Sequence, residues 1–130
     1  MENVGCVTYR DDYISRGEKI TRVRLEEIYN TILHEISRMW FGNLVTMKWW
    51  DDLWLNESFA DMVSFRCMDQ AEGLEDVTLA WPIFMDEMFW GLREDQIPTT
   101  HPVAASCNDT GDAMDIFDGL SYGKGASILH

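Results

Sequence analysis

The sequence predicts an α+β domain in which helices dominate. Apolar residues recur at three-to-four spacing over long stretches, which is the period of a helix with one buried face. A single β-prone run, with Val4, Val7, Thr8 and Tyr9, stands near the start. The length of 130 residues suits one core, since a chain of this size buries roughly two thirds of its surface on folding. An apolar fraction of 46% and six tryptophans provide the area whose burial offsets chain entropy.

In chain order, Val4 to Arg10 reads as a strand, forming a short edge hairpin before the charged loop RDDYISRGEK. Thr21 caps the strongest helix, in which Val23, Leu25, Ile28, Tyr29, Ile32, Leu33, Ile36 and Trp40 share a face and Gly42 is the stop. NLVTMKWWDD has no helical period and reads as a link. A second helix is expected from Leu53 to Met68, with Leu53, Phe59, Ala60, Val63 and Cys67 on its apolar face. A third, from Glu75 to Arg93, contains Pro82 and is therefore kinked or starts later. Pro98 and Pro102 mark an extended stretch, NDTGD a loop, and a last helix begins near Phe117. A start inside a strand and an end at His130 within a helical pattern are expected of a fragment of a larger fold.

Ten basic against 23 acidic residues give a formal charge of −13, which argues against nucleic acid or an anionic membrane as partner. Cys6, Cys67 and Cys107 are an odd number at irregular spacing, matching neither a disulfide framework nor a thiolate zinc site. Reduced, partly buried thiols are expected. The first residues lack the basic start and apolar run of a signal peptide, and no apolar run reaches bilayer-spanning length. A soluble, cytoplasmic protein is the expectation. The tryptophans Trp40, Trp49, Trp50 and Trp54 are assigned to core packing, and Asp51-Asp52 to loop charge.

The chemistry concentrates in LHEISRMWFGNLVTMKWWDDLWLNESFAD. Residues four apart lie on one helical face a turn apart. In H-E-x-x-H, two histidines so placed grip one zinc ion, and the adjacent glutamate activates its bound water. Here His34 and Glu35 are in register, and Arg38 stands at the second histidine position. Glu57 follows nineteen residues later on the next helix. An arginine has five donors and no lone pair to offer a metal. Placed between Glu35 and Glu57, its guanidinium is expected to pair with both. His101 as a substitute ligand has no spacing rule behind it.

That segment resembles the aminopeptidase N-like family of gluzincin zinc metallopeptidases, which includes alanyl, leucyl and puromycin-sensitive aminopeptidases. WFGNLVTMKWWDDLWLNE is similar to the family's characteristic run almost letter for letter, and the likeness extends from Met1 to His130. MEN at Met1 to Asn3 resembles the end of the family's exopeptidase motif, and FDGLSYGKGASIL its oxyanion segment.

The resemblance implies a thermolysin-like catalytic domain, present here as a single partial domain over residues 1–130. Neither the family's N-terminal β-domain nor its C-terminal helical domain is expected in this chain. It implies zinc as cofactor, with His34 and Glu57 as ligands, and Glu35 and Tyr122 as catalytic groups. Glu2 and Asn3 would bind the substrate's amino terminus. The reaction implied is removal of N-terminal residues from peptides, impaired in this chain by Arg38. Alternatives are a non-catalytic remnant that binds peptides or a partner protein, and a truncated or miscoded gene product. Family members occur in the cytosol and anchored at membranes.

Overall fold

The computed structural model describes residues 1–14, 20–73 and 79–130. Five α-helices follow one another among them: α1 (Arg22–Ser37), α2 (Leu53–Gln70), α3 (Ala80–Glu94), α4 (Thr110–Asp115) and α5 (Gly125–Leu129). A π-helical turn, Leu120–Lys124, runs directly into α5. The protein is mainly helical, as the periodicity predicts. The strand expected over Val4 to Arg10 is absent: Met1 and Thr8 exchange both backbone hydrogen bonds around a turn at Gly5, and no further pairing extends this hairpin-shaped loop. Among the described residues the lone β-bridge joins Phe41 and Val45.

α1 begins where expected, with the Thr21 hydroxyl accepting from the Arg24 N–H at 3.2 Å. It ends at Ser37, so Trp40 lies beyond it and is 56% exposed. Trp49 is also exposed, and the core assignment therefore fails for both; Trp49 instead donates its indole N–H to the Cys107 carbonyl. α3 starts late, at Ala80, which puts Pro82 in the first turn, where an amide N–H has no helical acceptor in any case. The expected start at Glu75 lies outside the described residues. The loop reading of NDTGD is replaced by a cap: Asp109 accepts from the N–H groups of Gly111 and Asp112 and opens α4. Asp51 likewise does more than charge a loop, since its carboxylate takes the Cys107 N–H at 2.7 Å.

α2 is the centre of the packing, in contact with α1, α3, the π-turn and α5. Its C-terminal half supplies Met62, Phe65 and Met68 to a core completed by Ala80, Phe84 and Ala126, with Tyr29 and Leu33 of α1 packed against it. Its N-terminal half buries Asn56, Glu57, Ser58 and Asp61 instead. A helix covered on several sides has no single apolar face, and the expected one does not hold: Cys67 is exposed, whereas Phe65 is fully buried. Cys6 is exposed as well, and Cys107 alone of the three thiols is buried.

The π-turn sits close against α2. A Cβ on Gly125 would come within 2.0 Å of the Ser58 hydroxyl, so a larger residue there has to push the Ser58 side chain aside. Ser58 in turn donates to the Ser121 carbonyl at 2.6 Å. Asp118 accepts from the N–H groups of Leu120 and Ser121, and its other oxygen is 2.8 Å from Nε2 of His101. These contacts fix the backbone on both sides of Tyr122.

Candidate active site

Where α1 ends beside the start of α2, six polar residues line a cavity of about 230 Å³: Glu2, His34, Glu35, Arg38, Glu57 and Tyr122. The sequence-predicted His34, Glu35, Glu57, Tyr122 and Glu2 thus meet in one place. Asn3 stays outside, exposed, with its amide directed to the Thr8 hydroxyl at 3.4 Å. His101 does not line this cavity and is held by Asp118 and the Pro102 carbonyl. A larger apolar cavity, about 790 Å³, lies against Trp81, Phe84, Met85 and Met88 and includes none of these residues.

His34 is held at both ring nitrogens. Nδ1 is 2.8 Å from Asp61 and Nε2 3.3 Å from Glu57. Burial by itself would depress the imidazolium, but hydrogen bonds to Asp61 and Glu57, and their charges, raise its pKa to about 9. Burial likewise pushes the Asp61 carboxyl up, with His34 opposing it. Asp61 was not legible as a functional residue, although its position four residues after Glu57 puts both carboxylates on the face of α2 that meets His34. Histidines that bind metal generally give their second ring N–H to such a carboxylate.

Arg38 is buried and bridges two acids. One terminal nitrogen is 2.7 Å from Glu2 and the other 3.2 Å from Glu57. The second of these also faces the Phe41 carbonyl at 3.4 Å. The expected pair with Glu35 does not form; Glu35 lies 2.9 Å from the Met1 amino nitrogen. The reason lies in the chain path. Arg38 caps the C-terminus of α1, and its side chain runs toward the following loop, whose Asn43 fixes Glu2 by donating to its carbonyl at 2.6 Å. Burial opposes ionisation of Glu2, but its own backbone N–H and the charge and hydrogen bond of Arg38 hold it below the usual carboxylate range. Tyr122 stacks on His34 with ring centroids 6.1 Å apart, and burial followed by the nearby Glu57 charge raises its hydroxyl well above the ordinary value.

The model of the peptidase family M1 domain matches residues 1–130, the whole chain. The chain belongs to peptidase family M1. Similar M1 relatives include "Aminopeptidase N" of Streptomyces lividans, 48% identical over 130 residues, and "Leucyl aminopeptidase" of Saccharolobus solfataricus, 40% identical over 130. "Tricorn protease-interacting factor F2" of Thermoplasma acidophilum is 42% identical over 133. Each match covers 99% of this chain but only 15% or 16% of the relative, so the chain spans about a sixth of their length.

Family M1 implies zinc, and the residues present can be tested against it. A tetrahedral zinc bonded at ~2.0–2.1 Å to two atoms sets them about 3.3 Å apart, and Nε2 of His34 and Oε2 of Glu57 stand 3.3 Å apart. These two atoms are paired with each other, at a separation that two zinc ligands would also have. The remaining ligand position does not suit the ion, because Arg38 offers only donors and directs its charge at the Glu57 carboxylate. Among the described residues no three His, Cys, Asp or Glu side chains are gathered as a ligand set. As it stands, the donor set does not fit zinc. No described helix is long and apolar enough to cross a membrane.

Proposed function

We propose that this chain is the zinc-site core of an M1 aminopeptidase catalytic domain of thermolysin-like α+β architecture, with its hydrolytic chemistry disabled at Arg38. The observation that carries the reading is the guanidinium 3.2 Å from Glu57, at the register position of the second zinc histidine. The names of the relatives support removal of N-terminal residues from peptides as the parent reaction.

The roles in the parent reaction are those that the resemblance implies, and side-chain chemistry is consistent with them. Glu35 is the group that moves protons between water and the leaving amine. Tyr122 donates a hydrogen bond to the developing oxyanion. In that parent reaction Glu2 would hold the substrate ammonium, a carboxylate there setting the register for removing one residue, whereas Asn3, to which the resemblance gives the same role, lies outside the cavity. His34 and Glu57 are the surviving metal ligands, with Asp61 orienting the imidazole.

The test is hydrolysis of an alanine anilide by the native chain and by Arg38→His, each supplied with zinc. The native chain is expected at the background rate and the variant above it. Equal, chelator-sensitive hydrolysis by both would remove Arg38 as the lesion.

A further inference from the structure

Arg38 does more than leave a ligand position empty. Three carboxylates, Glu2, Glu35 and Glu57, line one cavity, and the cations on them belong to the chain itself: the Met1 ammonium lies on Glu35, and Arg38 lies on Glu2 and Glu57. We infer that Arg38 is an internal cationic ligand that closes the cavity to the ammonium group of a peptide as well as to a metal ion. This rests on the aminopeptidase reading of the cavity and names what the altered site refuses.

The seat is built for a guanidinium. Arg38 is 9% exposed, and its two terminal nitrogens meet Glu2, Glu57 and the Phe41 carbonyl. Gly42, at φ 152°, makes room for it: a Cβ there would stand 3.0 Å from the Arg38 carbonyl oxygen and 3.3 Å from the guanidinium carbon. Asn43 fixes the Glu2 backbone from the same loop. Glu57 is 3% exposed and has one oxygen toward Arg38 and the other toward His34, whose far nitrogen is held by Asp61.

An entering ammonium must therefore displace a buried guanidinium, and separating buried partners costs far more than separating a surface pair. Remove the guanidinium without adding a metal ligand, and Glu2 and Glu57 face the cavity with one positive partner fewer. Such carboxylates take an ammonium readily.

The experiment is calorimetric titration of trialanine and N-acetyl-trialanine, with chelator present, into the native chain and Arg38→Gln. The native chain should bind neither peptide measurably, and Arg38→Gln should bind the free amine at least tenfold more tightly than the acetylated form. Amine-selective binding by the native chain, or no amine preference in folded Arg38→Gln, overturns the inference. Should Arg38→Gln fail to fold, arginine side-chain NMR of the native chain decides. A clamped Arg38 gives resolved terminal N–H signals that shift in Glu2→Gln, whereas averaged signals indifferent to Glu2→Gln contradict the clamp. Zinc uptake by Arg38→His reports separately on the aminopeptidase reading. Uptake without the amine effect sinks only the inference, and the amine effect without uptake sinks only that reading.

Discussion

The two halves of α2 bury side chains equally well and for opposite reasons. The C-terminal half packs Met62, Phe65 and Met68 into an apolar core, where stability scales with area removed from water and with the absence of voids. The N-terminal half buries Asn56, Glu57, Ser58 and Asp61, where every group must find a partner of the right charge. A substitution in the C-terminal half leaves a hole. One in the N-terminal half redistributes partners, which is how position 38, facing Glu57, can carry an arginine and still belong to a closed network.

That contrast can be broken at either end. Phe65 is fully buried between Met62, Phe84 and their neighbours, so Phe65→Ala should cost about 3–5 kcal/mol in denaturant unfolding. A loss under ~1 kcal/mol would mean that the core is not packed as described. At the polar end, Glu57→Gln keeps the shape but removes the charge between His34 and Arg38, and should cost about 1–3 kcal/mol. The double variant Glu57→Gln with Arg38→Gln should cost less than the sum of the two single changes, because the pair is coupled. Strict additivity would show that Arg38 does not lean on Glu57.

A smaller effect separates the halves by pH. Glu87 of α3 is raised to about 7, chiefly by burial and then by the Asp61 and Asp86 charges. The folded state thus holds this proton more tightly than the unfolded state, whose value is near 4.5. Its contribution to stability is fully present below that value and is lost as pH rises through about 7. Unfolding followed across this window should show a decline that Glu87→Gln flattens. An unchanged slope in the variant would assign the decline to other groups.

Legibility in the sequence followed the same division. α1 could be placed from its Thr21 cap and apolar period, but its expected face holds only in part, since Val23 and Ile36 are exposed while Glu26 and Ser37 are buried. α2 could be placed but not oriented, since a helix covered on several sides carries no amphipathic signal and its buried polar residues look like a solvated face. α4 was hidden because NDTGD has loop composition, although Asp109 is a cap. The π-turn depends on the Gly125 approach to Ser58, a tertiary contact with no local sign.

In the site, His34 and Glu35 stand out as the start of a metal-binding motif and Glu57 through the resemblance of the flanking run, and the structure brings all three to one cavity. The partner of Arg38 could not be found in this way. Glu2 lies 36 residues away and is brought in by Asn43, whereas Glu35 is close in sequence but points elsewhere. Helical spacing places backbones; the direction of a long charged side chain at a helix end is decided by the loop that follows.

The most direct test of the central claim, that Arg38 excludes zinc from this M1 site, is the zinc content of the purified chain. It would be measured by elemental analysis after dialysis at neutral pH, beside Arg38→His. The account predicts no retained zinc in the native chain and about one ion per chain in the variant, since a catalytic zinc is held by three protein ligands and the native chain offers two. One tightly held zinc in the native chain would contradict it, and would require a ligand other than residue 38.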